Sequence, residues 1–195
     1  DGYSDIVATK NSFTFLTNPS WTADLQSGWS SGNWNDIYNI NYFLAHFREV
    51  NGVSEEALRH YEGTARFWRA WQYWDKVKTF GAVPWYDEPI DPDDMEKLYK
   101  GRDSREYVMD KILEDLDYAC DNCYAKDPWI NNARVNKYIA LAFKSRVCLF
   151  EGTYRKYHSV DPSTGKAWED KDGAEKFLRE CVKADEELMN SGAYS

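Results

Sequence analysis

Trp21 and Trp29, with Asp5, Lys10 and Asn33 nearby in sequence, are the residues whose types and spacing point most directly to chemistry. Indole faces stack on flat C–H surfaces, and carboxylate, amide and ammonium groups at their edges read hydroxyls, so the set suits a sugar ring. Asn11, Asp24 and Gln26 add further edge groups. The same rings also suit packing over a helical scaffold or contact with a partner. Cys120-x-x-Cys123 has the spacing of half a zinc ribbon or a redox pair, but no second half follows, and His46, His60 and His158 are scattered. With Cys148 and Cys181 among apolar helix positions, the four thiols read as structural, a disulfide or metal being the alternative. Asp91, Asp93 and Asp94 lack the Gly and distant Glu of a calcium loop, so the acidic run 87–96 reads as a solvated face. With 33 acids a carboxylate pair for catalysis can always be nominated, yet no nucleophile motif, phosphate loop or metal-ligand cluster accompanies one.

The elements that must position these residues are helical. Residues 1–35 read as a polar loop region, because seventeen of the 35 are Ser, Thr, Asn or Gly and no period survives among its aromatics. From Trp34 onward Ile37, Tyr38, Ile40, Leu44, Phe47 and Val50 form an apolar stripe with Asn41 as one polar interruption, stopped by Asn51-Gly52. Ser54 caps a second helix with Glu55 and Glu56 in its first turn, and that helix runs through Trp68, Trp71, Trp74 and Val77 to Phe80-Gly81. The short join makes the two antiparallel neighbours. After a loop over 81–102, Asp103-x-x-Glu106 reads as a capping box, followed by a stripe of Val108, Ile112, Leu116 and Ala119. Another helix covers roughly 136–151 and extends toward His158, and Asp172-x-x-Glu175 opens the last, which Gly192 ends. Five helices without a convincing strand make the class all-α. Consecutive antiparallel pairs suggest a helical repeat, and Trp34 and Trp68 lie 34 residues apart, the tetratricopeptide period, although their flanks do not repeat.

Composition narrows the function classes. The 195 residues carry 33 acids against 24 bases, a net charge of −9 that argues against nucleic acid as a partner. Mean hydropathy is −0.74 and the longest apolar run is 138–143, too short to span a bilayer. Nine Trp, fourteen Tyr and nine Phe exclude an unfolded polar chain. Both ends read as cuts within a longer protein, so targeting signals are not legible.

The stretch 34–157 resembles the SusD/RagB family of surface nutrient-binding lipoproteins. Trp34-x-x-x-Tyr38-x-Ile40-Asn41 is similar to the first of its motifs, and Ala65-Arg66-Phe67-Trp68-Arg69-Ala70-Trp71-x-Tyr73 with Phe80-Gly81-Ala82-Val83-Pro84 to the second. Arg102-Asp103-Ser104-Arg105-Glu106 with Glu114-Asp115-Leu116-Asp117-Tyr118-Ala119 resembles the third. Ala133-Arg134-Val135 leading into Lys137, Ala140, Lys144 and Arg146 resembles the fourth. Thr64 stands where the family often has Glu, and Ala133 where Gly usually precedes Arg134. The resemblance implies tetratricopeptide-like helix pairs in a right-handed superhelical scaffold with long loops, built over 36–195, with 1–35 as a loop region of the same domain. It implies an amino-terminal part of a longer protein, lipid-anchored to the outer membrane of Bacteroidota-type bacteria and facing outward, the anchor lying outside this sequence. It further implies capture of an oligosaccharide or polysaccharide for a SusC-like TonB-dependent transporter, with no catalysis, cofactor or metal.

Within that frame the ligand-contacting residues are expected to be Trp21, Trp29, Asp5, Lys10 and Asn33. Trp34, Trp68, Trp71 and Trp74 are expected in helix packing. Arg69, on a largely apolar helix, is expected to neutralise a carboxylate, with Asp115 as candidate, because an unpaired buried charge is very costly. A protein-binding scaffold and an all-α carbohydrate-active enzyme are the alternatives to glycan capture.

Overall fold

Six α-helices and no β-strand form among the residues that the computed structural model describes, 29–126, 134–162 and 164–193. The chain falls into two units, Asp1–Asn35 and Asp36–Ser195. In the described part of the first, a 3-10 turn at Ser31–Trp34 leads into α1, Asn35–His46. The rest is α2 (Glu55–Phe80), a short α3 (Met95–Leu98), α4 (Arg105–Asn122), α5 (Lys137–Tyr157) and α6 (Gly173–Asn190).

Local sequence explains most boundaries. Ser54 accepts a hydrogen bond from the Ala57 amide and opens α2. Gly81 closes it at φ 71°, its N–H reaching the Val77 carbonyl. At α4 the expected capping box gives way to another arrangement. Ser104 is the cap, accepting from the Tyr107 amide, while the Asp103 carboxylate accepts from the Trp85 amide at 2.8 Å. Glu106 likewise turns outward to accept the Glu169 and Asp170 amides. Asp172 occupies the start of α6 as expected but makes no side-chain cap. At Asp103 and Glu106 a carboxylate that could cap its own helix is instead drawn to backbone amides of a neighbouring segment, which would otherwise lack a protein acceptor.

Side-chain pairs fix the order and direction of packing. Asp36–Gln72, Asn41–Arg69 and Arg48–Glu62 run α1 antiparallel to α2. Arg69–Asp115 and Arg105 to the Val77 carbonyl do the same for α2 and α4. Arg105–Glu151 with Lys144–Asp117, then Lys144–Glu180 with Lys137–Glu187, continue the series through α5 and α6. The succession is tetratricopeptide-like: α4 packs on α2, α5 on α4 and α6 on α5, while the short α3 buries no residue. Ala70, Tyr73 and Val77 of α2 meet Val108, Met109, Ile112, Leu116 and Ala119 of α4, all fully buried. Gly152 allows α5 and α6 to approach, since a Cβ there would lie 2.7 Å from Leu178 Cγ and 3.0 Å from its backbone nitrogen.

Two stripes read from the sequence are only partly buried. In α1 the covered positions are Ile37 and Asn41, followed by Phe47 in the next turn, whereas Tyr38 and Val50 are exposed. Of the three Trp of α2 only Trp74 is in the core; Trp68 and Trp71 are 45% and 40% exposed. Three-residue steps rotate about 60° backward around a helix each time, so three Trp at that spacing span some 120°. Phe143 of α5 covers the trailing side, stacking on Trp71 at 4.6 Å and meeting Trp74 edge-on, and Trp68 at the leading side stays open.

The buried charges generate two predictions. Arg69→Ala leaves Asp115 buried without its guanidinium and should cost about 3–5 kcal/mol of folding stability, read as a lower denaturant midpoint. Glu180 is the second case. Burial opposes its charge, but Lys144 and Lys183 more than offset that and hold its carboxyl below the ordinary 4.5. A depressed carboxylate contributes stability that is present above 4.5 and is lost as pH falls through the lower folded value. Glu180→Gln should therefore destabilise the protein at pH 7, and the variant and parent unfolding curves should converge toward pH 3.

Candidate functional site

A concavity in the unit Asp36–Ser195 is built upward from one charge pair. Arg69 Nε and Nη2 donate to Asp115 Oδ2 and Oδ1 at 2.7 and 2.8 Å, a two-pronged contact with both side chains buried. Arg69 Nη1 donates to Asn41 Oδ1 at 3.0 Å, and Asn41 Nδ2 donates to the Tyr86 carbonyl at 2.8 Å. Tyr73 completes the attachment. Its hydroxyl accepts from the Tyr86 amide at 2.7 Å and donates to the Tyr86 carbonyl at 3.2 Å, while its ring packs on Trp85 at 4.2 Å. Burial pushes the Tyr73 phenol well above its ordinary range, so it stays protonated and keeps that donor.

Above this floor lies a cleft of about 330 Å³. Leu44 and Ala45 of α1 form one wall, Glu62 and Arg66 of α2 with Lys111 and Glu114 of α4 another, and Trp85, Asp87 and Glu88 of the connecting segment the third. Arg66 donates to Glu62 at 3.1 Å and lies 4.2 Å over the Tyr118 ring. Glu62 is also held by Arg48, and Lys111 pairs with Glu114. The walls thus carry fixed donors and acceptors side by side. The Trp85 indole Nε1 is buried without a hydrogen-bond partner.

Of the residues expected to contact ligand, Trp21, Asp5 and Lys10 lie outside the described residues, as do Asn11, Asp24 and Gln26. Trp29 is half-buried and meets Trp34 edge-to-face at 5.4 Å. Asn33 is exposed, and its Oδ1 accepts from Ser30 Oγ at 2.6 Å, which closes the 3-10 turn. Trp29 and Asn33 therefore share one tight turn. Arg69 meets Asp115 as expected. Missing from the sequence reading were Asn41, Trp85 and the Glu62–Arg66 pair; the signal for Asn41 was its place inside an apolar stripe.

Other candidate chemistry resolves into structure. All four cysteines are buried free thiols, and burial pushes Cys120 up to about 12 and Cys123 up to about 11. Such thiols are poor nucleophiles at neutral pH. The acidic run lies largely at the surface, where Asp94 caps α3 and Glu88 pairs with Lys97. Among the described residues no group of three His, Cys, Asp or Glu side chains has the arrangement to hold a metal ion, and no helix is long and apolar enough to cross a membrane.

Residues 5–149 match the SusD-like family described as starch-binding and associating with the outer membrane. The chain belongs to the SusD-like family. Among individual relatives, a SusD-like protein of Formosa agariphila is 27% identical over 129 residues, which are 64% of this chain and 24% of that protein. A SusD superfamily protein of Parabacteroides distasonis, solved by crystallography, superposes with a TM-score of 0.63 at 23% identity, covering 87% of this chain and 34% of its own. A laminarin-binding SusD-like protein gives 0.62 at 17% identity, covering 85% and 30%. These likenesses establish the SusD-like fold. The chain spans about a quarter to a third of the length of the relatives it matches. The family description is one of binding.

The buried thiols yield a direct expectation. In the native SusD-like chain an aromatic disulfide reagent should label the four cysteines slowly, and in denaturant all four should react at once without prior reduction. Rapid native labelling at Cys120 or Cys123 would contradict the structural reading.

Proposed function

We propose that this chain is part of a non-catalytic, surface-exposed subunit that captures oligosaccharides and hands them to a SusC-like TonB-dependent transporter in the outer membrane. The match of residues 5–149 to a starch-binding, outer-membrane-associated family carries the reading. That a similarly folded protein binds laminarin is consistent with it. A lipid anchor outside this sequence would hold the subunit at the membrane, facing outward. The proposed contacts are Trp21 and Trp29 as stacking faces, with Asp5, Lys10 and Asn33 reading hydroxyls at their edges. In support, Trp29 and Asn33 share one turn, which places an aromatic face and an amide within a few residues of each other. Nothing in this reading asks a side chain to change protonation or form a covalent bond.

The test uses the whole protein in affinity gels cast with starch, laminarin and other polysaccharides, alongside an assay for released reducing sugar. Retardation without release is the expected result, and Trp21→Ala with Trp29→Ala should weaken retention by about tenfold or more. Release of reducing sugar would establish the enzyme reading instead. No retention on any glycan, together with pull-down of a transporter, would leave a protein-binding scaffold.

A further inference from the structure

The cleft above Arg69 and Asp115 lies in the helical unit, and its residues are separate from the proposed amino-terminal contacts. Its chemistry selects among ligands. Five carboxylates line it (Glu62, Asp87, Glu88, Glu114 and Asp115) against three cations, which disfavours an anion. A free cation is disfavoured too, because Glu62, Glu88, Glu114 and Asp115 are already engaged by Arg48, Arg66, Lys97, Lys111 and Arg69. What remains is a surface of N–H donors and carboxylate lone pairs at close range, beside Leu44 and Ala45. Hydroxyl groups both donate and accept, so a neutral polyhydroxylated ring uses such a surface fully. The volume of about 330 Å³ lies at the lower end for small-molecule sites and suits a single ring.

We infer that this cleft is a seat for one neutral sugar residue, held mainly by Arg66, Lys111 and Glu114. The inference rests on the capture reading only in its choice of sugars as probes.

Saturation-transfer NMR on the full chain with glucose, galactose, mannose and xylose at millimolar concentration tests it. Saturation of at least one sugar is expected, weakened about tenfold in Arg66→Gln and in Lys111→Ala, each first shown by circular dichroism to be folded. Lys111 is a rim residue, so its variant keeps the test decisive where Arg66→Gln unfolds. No transfer to any of the four sugars overturns the inference, as does transfer that both folded variants retain. The capture reading fails separately: if polysaccharide gels show no retention while monosaccharide transfer is lost in the cleft variants, the seat stands without it.

Discussion

Arg69 and Asp115 are a buried, two-pronged ion pair, and four separate parts of the chain are organised by reference to it. The pair joins α2 to α4, Asn41 brings α1 onto the guanidinium, and the Asp87 carbonyl accepts from the same Nη1. Taking two charges out of water costs several kcal/mol per ion, and good geometry with further hydrogen bonds is what offsets it. Here both conditions hold. The energetic value of such a pair over an apolar substitute is small, but its directional demand is large. An apolar contact tolerates a shift along the helix axis; a guanidinium bonded at three of its nitrogens does not.

The pattern repeats further along the chain with different partners. Arg105 reaches Glu151 by Nε and Nη2, and Glu151 also accepts from Arg155, so α4 and α5 are registered by a second buried charge group. Lys144 then ties α4, α5 and α6 together through Asp117 and Glu180. Burial opposes the Lys144 charge, yet the two carboxylates more than offset this and hold its ammonium above the ordinary lysine range. Apolar stripes supply the bulk of the packing, and ionic groups at the α2–α4, α4–α5 and α5–α6 interfaces set the register.

Much of this was legible in the sequence where two constraints coincided. Arg69 was predicted to pair with Asp115 because a charge on an apolar helix demands an opposite charge at matching depth. The helices were legible because period and caps agreed, as at Ser54 and Gly81. The errors arose where one signal was read alone. Trp68, Trp71 and Trp74 share an apolar character but not an azimuth, and a single neighbouring helix cannot cover them all. Asp103 and Glu106 have cap spacing, yet distant amides competed for them, and nothing local in sequence reports a distant amide. The cleft was hidden for the same reason: its lining comes from α1, α2, α4 and a connecting segment, and only assembled helices bring Leu44, Arg66, Trp85 and Lys111 to one place.

Tyr86 and Asp103 deserve a last comparison, because both ends of the segment between α2 and α4 are fastened by side chains rather than by its own turns. Tyr73 and Asn41 hold Tyr86, and Asp103 holds Trp85 while pairing across to Val83. Between those anchors the chain closes a loop whose entropy grows only slowly with length. Exposed residues between Asp87 and Lys100 can be exchanged without moving α2 and α4. Of that wall Trp85 is held in the core, whereas the side chains of Asp87 and Glu88 are exposed, so exchange is open at those two positions above a floor that stays constant.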